Sequence, residues 1–289
     1  MKRLKILTIL LLATITLTSC FRRDVLEDVN IYTTVYPIKY VTDYLYGEHS
    51  TVESIYPAGT DISKYKLNKK QLKDYSSGAI FVYNGLGDEK NIAKDLLNDN
   101  RDLKIIDVSQ GLEYENSMSE LWLDPSNYLM LANNIKTGLE NYIDSKVLLS
   151  DINANYSRLK LLISSYDAEL ETMTKNIEDD NIVIASDSLA FLKKYNLTIT
   201  NVDDTYYDVP NTTVSKAKRL ITNGTVKYVY MLDEQEKSEI VKELENAGAK
   251  VLTIKSMTTL SEEDISNKED YESLMRKNID SIKKELFEE

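Results

Sequence analysis

The chain has 289 residues, 42% of them hydrophobic, with 47 acidic side chains against 35 basic ones and a formal net charge of -12 at pH 7. That balance excludes nucleic acid and anionic surfaces as partners held by a basic patch. One cysteine excludes an internal disulfide, and a single histidine, His49, leaves no basis for Cys-His or Ser-His chemistry, so no enzymatic activity is expected.

In chain order, Lys2, Arg3 and Lys5 form a positive start, residues 6–15 an apolar run, and Leu17-Thr18-Ser19-Cys20 a small-residue cleavage site ending in cysteine. Ten apolar residues are too few to span a bilayer, which takes about 20. The pattern reads as a bacterial lipoprotein signal: residues 1–19 are removed and Cys20 carries the lipid, placing the protein on the outer face of a cell membrane. Removing 1–19 deletes three bases and no acid, moving the formal charge from -12 to -15. Residues 20–28 are expected to form a short stalk.

Strands are predicted at residues 29–35, 80–83 and 104–108, with helical patterns at 39–45, 69–75 and 90–97 between them. The second half repeats the rhythm with strands at 182–185, 228–232 and 251–254. Alternation of this kind predicts two doubly wound, parallel-sheet α/β lobes, residues 29–148 and 179–289. From Leu149 to Ile177 apolar residues recur every three or four positions, predicting one helix over residues 149–178, roughly 43 Å long at 1.5 Å per residue. A coiled-coil seam would show the same spacing, but a stiff rod joining two lobes of one monomer fits better. The cleft between the lobes is then the expected ligand site. Asp124-Pro125 reads as a helix cap, Trp122 as packing, residues 203–208 as a solvated loop, and residues 234–245 as a charged surface helix.

Six segments in order carry a resemblance: Thr33-Thr34-Val35-Tyr36-Pro37, Pro57-Ala58-Gly59, Val82-Tyr83-Asn84-Gly85-Leu86-Gly87, Leu121-Trp122-Leu123-Asp124-Pro125, Gly248-Ala249-Lys250-Val251-Leu252 and Asp270-Tyr271-Glu272-Ser273-Leu274-Met275. Behind a lipoprotein signal, they make the chain similar to the solute-binding lipoproteins of zinc and manganese ABC importers. The resemblance implies two α/β lobes on a backbone helix, an ABC permease as partner, and a cleft that holds a metal ion or small solute. It also implies four ligand positions, usually histidines with one or two carboxylates. Here those positions fall on Ser63, Glu120, Asp187 and Lys255.

This exchange leaves Glu120 and Asp187 as the metal-ligand candidates and supplies only oxygen donors, which suit calcium, magnesium or manganese better than zinc. Lys255 is expected to pair with the two carboxylates, placing an ammonium where the metal would sit. No resident cofactor is expected, and any divalent cation, whether manganese, calcium or zinc, would be cargo. An adhesion or interaction lipoprotein that keeps the scaffold without transporting metal is the alternative reading.

Overall fold

A computed structural model describes residues 24–112, 120–175, 177 and 180–287. The lipid-attachment segment around Cys20 lies outside these residues. The first lobe is built from β1 (Val29–Thr33), α1 (Tyr36–Tyr46), β2 (Ser50–Ser54), α2 (Lys69–Ser76), β3 (Ile80–Tyr83), α3 (Glu89–Asp99) and β4 (Lys104–Asp107). Next come a 3-10 turn, Leu121–Leu123, then α4 (Pro125–Glu140) and α5 (Lys146–Thr174). The second lobe contains β5 (Asn181–Ile184), a 3-10 segment Asp187–Tyr195, β6 (Thr198–Asn201), α6 (Asn211–Thr222), β7 (Tyr228–Leu232), α7 (Glu239–Asn246), β8 (Lys250–Ile254), α8 (Glu262–Ser266) and α9 (Tyr271–Phe287).

Both sheets are parallel and share one topology, β2-β1-β3-β4 and β6-β5-β7-β8. Each chain path starts at an inner strand, steps to one edge, then crosses back to the other side. The expected pair of doubly wound lobes is therefore present, and the carboxyl ends of the strands open toward one cleft. The inner strands β3 and β7 are buried along their whole length, as parallel strands covered on both faces must be. In the second sheet, alternate side chains divide between two cores: Ile182, Ile184, Tyr228 and Tyr230 join the main core, while Val183, Val229 and Met231 pack with Ala217 and Val241 on the other face.

The long helix begins three residues before its expected start, because the Ser145 side chain caps it by accepting from the Leu148 N–H. It runs 29 residues and ends at Thr174. Its fully buried stripe is Ile152, Leu159, Ile163, Tyr166 and Leu170. His49 Nε2 lies 3.2 Å from Asp151 Oδ2, tying the end of α1 to this helix and keeping the only imidazole away from the cleft.

Two strands, β2 and β6, are absent from the sequence expectation, and both are edge strands. Ser50–Ser54 buries only Val52, and in Thr198–Asn201 only Thr200 is buried. Neither segment presents the apolar run by which the inner strands are recognised.

Candidate functional site

Loops following the strands of both lobes line a cleft of about 660 Å³. From the first lobe come residues 59–63, after β2, and Glu120, after β4. The second lobe supplies Asp187 and Ser188 after β5, Asp203, Thr205 and Tyr206 after β6, Asp233 and Glu234 after β7, and a segment after β8 that reaches Asp264.

Ser63, Glu120 and Asp187 thus face one cavity, while Lys255 is not among its lining residues. The Ser63 hydroxyl donates to Asp61 Oδ1 at 2.6 Å, and Lys64 Nζ sits 2.8 Å from Asp61 Oδ2. The Lys64 hydrogen bond, followed by that of Ser63, holds the Asp61 carboxyl down at about 2. Glu120 accepts from the Ser188 hydroxyl across the cleft. The Asp187 carboxylate accepts from the Asn201 side-chain amide, and its N–H donates to Asp203 Oδ2 at 2.8 Å.

The expected salt bridge from Lys255 to Glu120 and Asp187 is not formed. Lys255 Nζ lies 3.3 Å from Asp233 Oδ2, after β7, and 3.4 Å from Asp264 Oδ1, in the first turn of α8, both in its own lobe. Burial opposes the Lys255 charge, but these carboxylates outweigh it and raise its pKa. Burial likewise acts against ionised Asp264, yet the Ser261 hydroxyl and N–H, with Lys255, hold its carboxyl below the usual range.

Two further expectations are corrected. Asp203, Thr205 and Tyr206 line the cleft in place of forming a purely solvated loop. Glu234 also lines it, since α7 begins only at Glu239, after the Ser238 cap. Glu234 accepts from the Ser256 hydroxyl at 2.6 Å, and burial pushes its carboxyl up, with Asp233, Glu120 and Asp61 adding to the rise. Sequence reasoning missed Asp233 and Glu234 and preferred a solvated loop for Asp203 over a place on the cleft wall, although each follows a strand carboxyl end, where this fold type places ligand-facing groups.

The segment after β8 joins the lobes. Trp122 Nε1 donates to the Ser256 carbonyl at 2.6 Å, the Tyr36 N–H to Thr258 O at 2.9 Å, and the Gly59 N–H to Leu260 O at 2.8 Å. The second of these satisfies an N–H at the start of α1 that no helical carbonyl can reach. Trp122 is thus packing, as expected, and also a cross-lobe donor, while Asp124 caps α4 by accepting from the Ser126 N–H. Between these bonds Met257, only 2% exposed, is held at φ 60, a left-handed conformation costly for a residue with a side chain.

Among the described residues, no three His, Cys, Asp or Glu side chains converge closely enough to hold a metal ion. With His49 bound elsewhere, the cleft offers oxygen donors and no imidazole.

The family model described as "ZnuA: Zinc-uptake complex component A periplasmic" matches residues 31–285. The zinc-binding lipoprotein AdcA of Streptococcus pneumoniae serotype 4 is 23% identical over 285 residues, covering 90% of this chain and 56% of the relative. The zinc-binding protein AdcA of Streptococcus pyogenes serotype M6 is 21% identical over 290 residues, covering 88% and 55%. The chain spans about half the length of the curated relatives it matches. Among solved structures, the Zn(II)-bound ZnuA-like domain of S. pneumoniae AdcA matches with a TM-score of 0.73 at 20% identity, covering 90% of this chain and 99% of that one. The metal-dependent lipoprotein YcdH from Bacillus subtilis matches with a TM-score of 0.75 at 18% identity, with the same coverage. At these identities the structural likeness speaks for the fold. Because the family model runs from the first strand into the last helix, the chain belongs to the ZnuA family of periplasmic zinc-uptake components.

Proposed function

We propose that the chain is the solute-binding component of an ABC importer, a monomer that captures a cation outside the membrane and hands it to a permease. Residues 1–19 are its signal peptide, the lipid on Cys20 and the stalk at 20–28 its tether, and residues 29–148 and 179–289 its two lobes on the backbone helix at 149–178. A capture role asks for a binding cleft and no catalytic step.

One observation carries the reading. Among the described residues, Glu120, Asp187, Asp203 and Glu234 line the cleft from both lobes and have no ion-pair partner. Several unpaired carboxylates in one cavity repel one another, and a bound cation relieves that repulsion. Family membership supports the transport role, and relatives named as zinc-binding support a cation as cargo. The donor set of this cleft argues against zinc, which favours imidazole and thiolate.

The experiment is a thermal melt of the mature protein against a panel of cations that includes zinc, manganese, calcium and organic ammonium ions. At least one is expected to raise the melting temperature of the parent and not of Glu120→Gln or Asp187→Asn. No shift from any member would overturn the reading. Nanomolar zinc binding with ligands mapping to the cleft would overturn the argument from the donor set.

A further inference from the structure

The same cleft holds features that a bare metal ion does not use. Its volume of about 660 Å³ lies in the range of small-molecule sites, roughly 300–1,000 Å³, and far exceeds the space of one ion with its oxygen ligands. Its carboxylates are spread over loops from both lobes and do not gather into one coordination sphere.

Two observations besides the acids bear on the ligand. Thr258 lines the cleft at 2% exposure, and its Oγ1 is buried without a hydrogen-bond partner. A buried hydroxyl without a partner is costly, and a ligand N–H donor would satisfy its oxygen. At the rim, Tyr206 lines the same cavity while 62% exposed, offering an aromatic surface to an incoming ligand. Aromatic faces attract organic ammonium ions through the ring quadrupole. Behind the wall, Lys255 between Asp233 and Asp264 shows how this lobe holds an alkylammonium with two carboxylates.

We infer that the cleft takes a small linear organic cation with two or more ammonium groups. Glu120 from the first lobe and Asp187, Asp203 and Glu234 from the second receive the ammonium groups, Thr258 accepts one N–H, and Tyr206 covers the chain at the rim. An ion of this kind pairs with carboxylates several ångströms apart, which a single metal centre cannot do. This inference rests on the cation-capture reading above and names its substrate class.

The test is calorimetric titration of the mature protein with spermidine and putrescine, and in parallel with manganese, calcium and zinc, at 0.15 M salt. Salt at that strength suppresses loose attraction between exposed charges. Spermidine is expected to bind with a one-to-one end point. Thr258→Val, which keeps the side-chain shape, and Glu120→Gln are each expected to weaken it about tenfold or more, about 1.4 kcal/mol. Melts without ligand check that both variants fold, and Asp203→Asn replaces either one that does not. Non-specific adhesion to an acidic surface would be indifferent to Thr258→Val, and that result overturns the inference. A divalent ion that binds in the cleft while both amines fail would overturn the organic-cation inference and leave cation capture standing; failure of every cation would remove both.

Discussion

Glu89, only 6% exposed, begins α3 beside the first lobe's strand ends. Burial pushes its carboxyl up to about 7, with Asp88 and Glu120 adding to the rise against one backbone hydrogen bond. With its folded pKa above the unfolded one, the folded state holds the extra proton, so stability falls as pH rises from about 4.5 to 7. Glu89→Gln should flatten that slope and raise stability at pH 8 by up to about 3 kcal/mol, from 1.36 kcal/mol per pKa unit. Denaturant melts of both proteins at pH 5 and pH 8 check this, and equal slopes would count against it. At Lys255 the structure redirects a mutation: Lys255→Met removes the partner of Asp233 and Asp264 and leaves Glu120 and Asp187 untouched. The expected cost is about 1 kcal/mol, modest because the pair is partly solvated; cation binding should persist and tighten, since Asp233 and Asp264, freed of Lys255, also line the cleft. A calorimetric trace that loses its cation signal in this variant would place Lys255 in the site after all.

The backbone helix and the cross-lobe joints are the elements that hold the cleft in shape. Leu159 on α5 is fully buried, so Leu159→Ala should cost about 2–5 kcal/mol by removing apolar contact and leaving a cavity. A shift in the urea midpoint at unchanged slope is the readout. Trp122→Phe should cost about 1–3 kcal/mol, because it strands the buried Ser256 carbonyl that the indole N–H now reaches. Hydrogen exchange should then quicken along residues 255–260 before it does in the sheets. Uniform exchange across the molecule would show that this joint is not local. Sequence periodicity made the backbone helix legible, since its apolar stripe is continuous, whereas its start was set by Ser145, a single capping residue inside a polar stretch. The edge strands β2 (Ser50–Ser54) and β6 (Thr198–Asn201) were not legible because neither holds an apolar run, whereas β4 and β8, also at edges, carry Ile105-Ile106 and Val251-Leu252.

At the scale of the whole molecule, α5 braces the lobes while Trp122, Tyr36 and Gly59 bond across to the segment after β8. Tyr128 and Tyr271 stack with centroids 4.1 Å apart, and the Tyr271 hydroxyl donates to Trp122 O at 2.8 Å. With that many ties, ligand entry should tilt the lobes slightly instead of closing a wide hinge. Solution scattering with and without a bound cation should show nearly equal radii of gyration; a large contraction would refute the rigid frame.

The residue order alone determined the two α/β lobes, the long helix and the absence of a histidine cluster. Strand and helix periods are local, and a chain with one histidine cannot build a histidine cluster. It also singled out Ser63, Glu120 and Asp187, which line the cleft, through motifs that keep their order along the chain. Only tertiary structure decided the partners of Lys255. Asp233 and Lys255 are separated in sequence by α7 and β8, and Asp264 lies further on in α8; parallel pairing of β7 with β8 brings the first two side by side. The same holds for Asp203 and Glu234, whose neighbours read as loop and surface helix. Their place on the cleft wall follows from strand order, which no local pattern encodes.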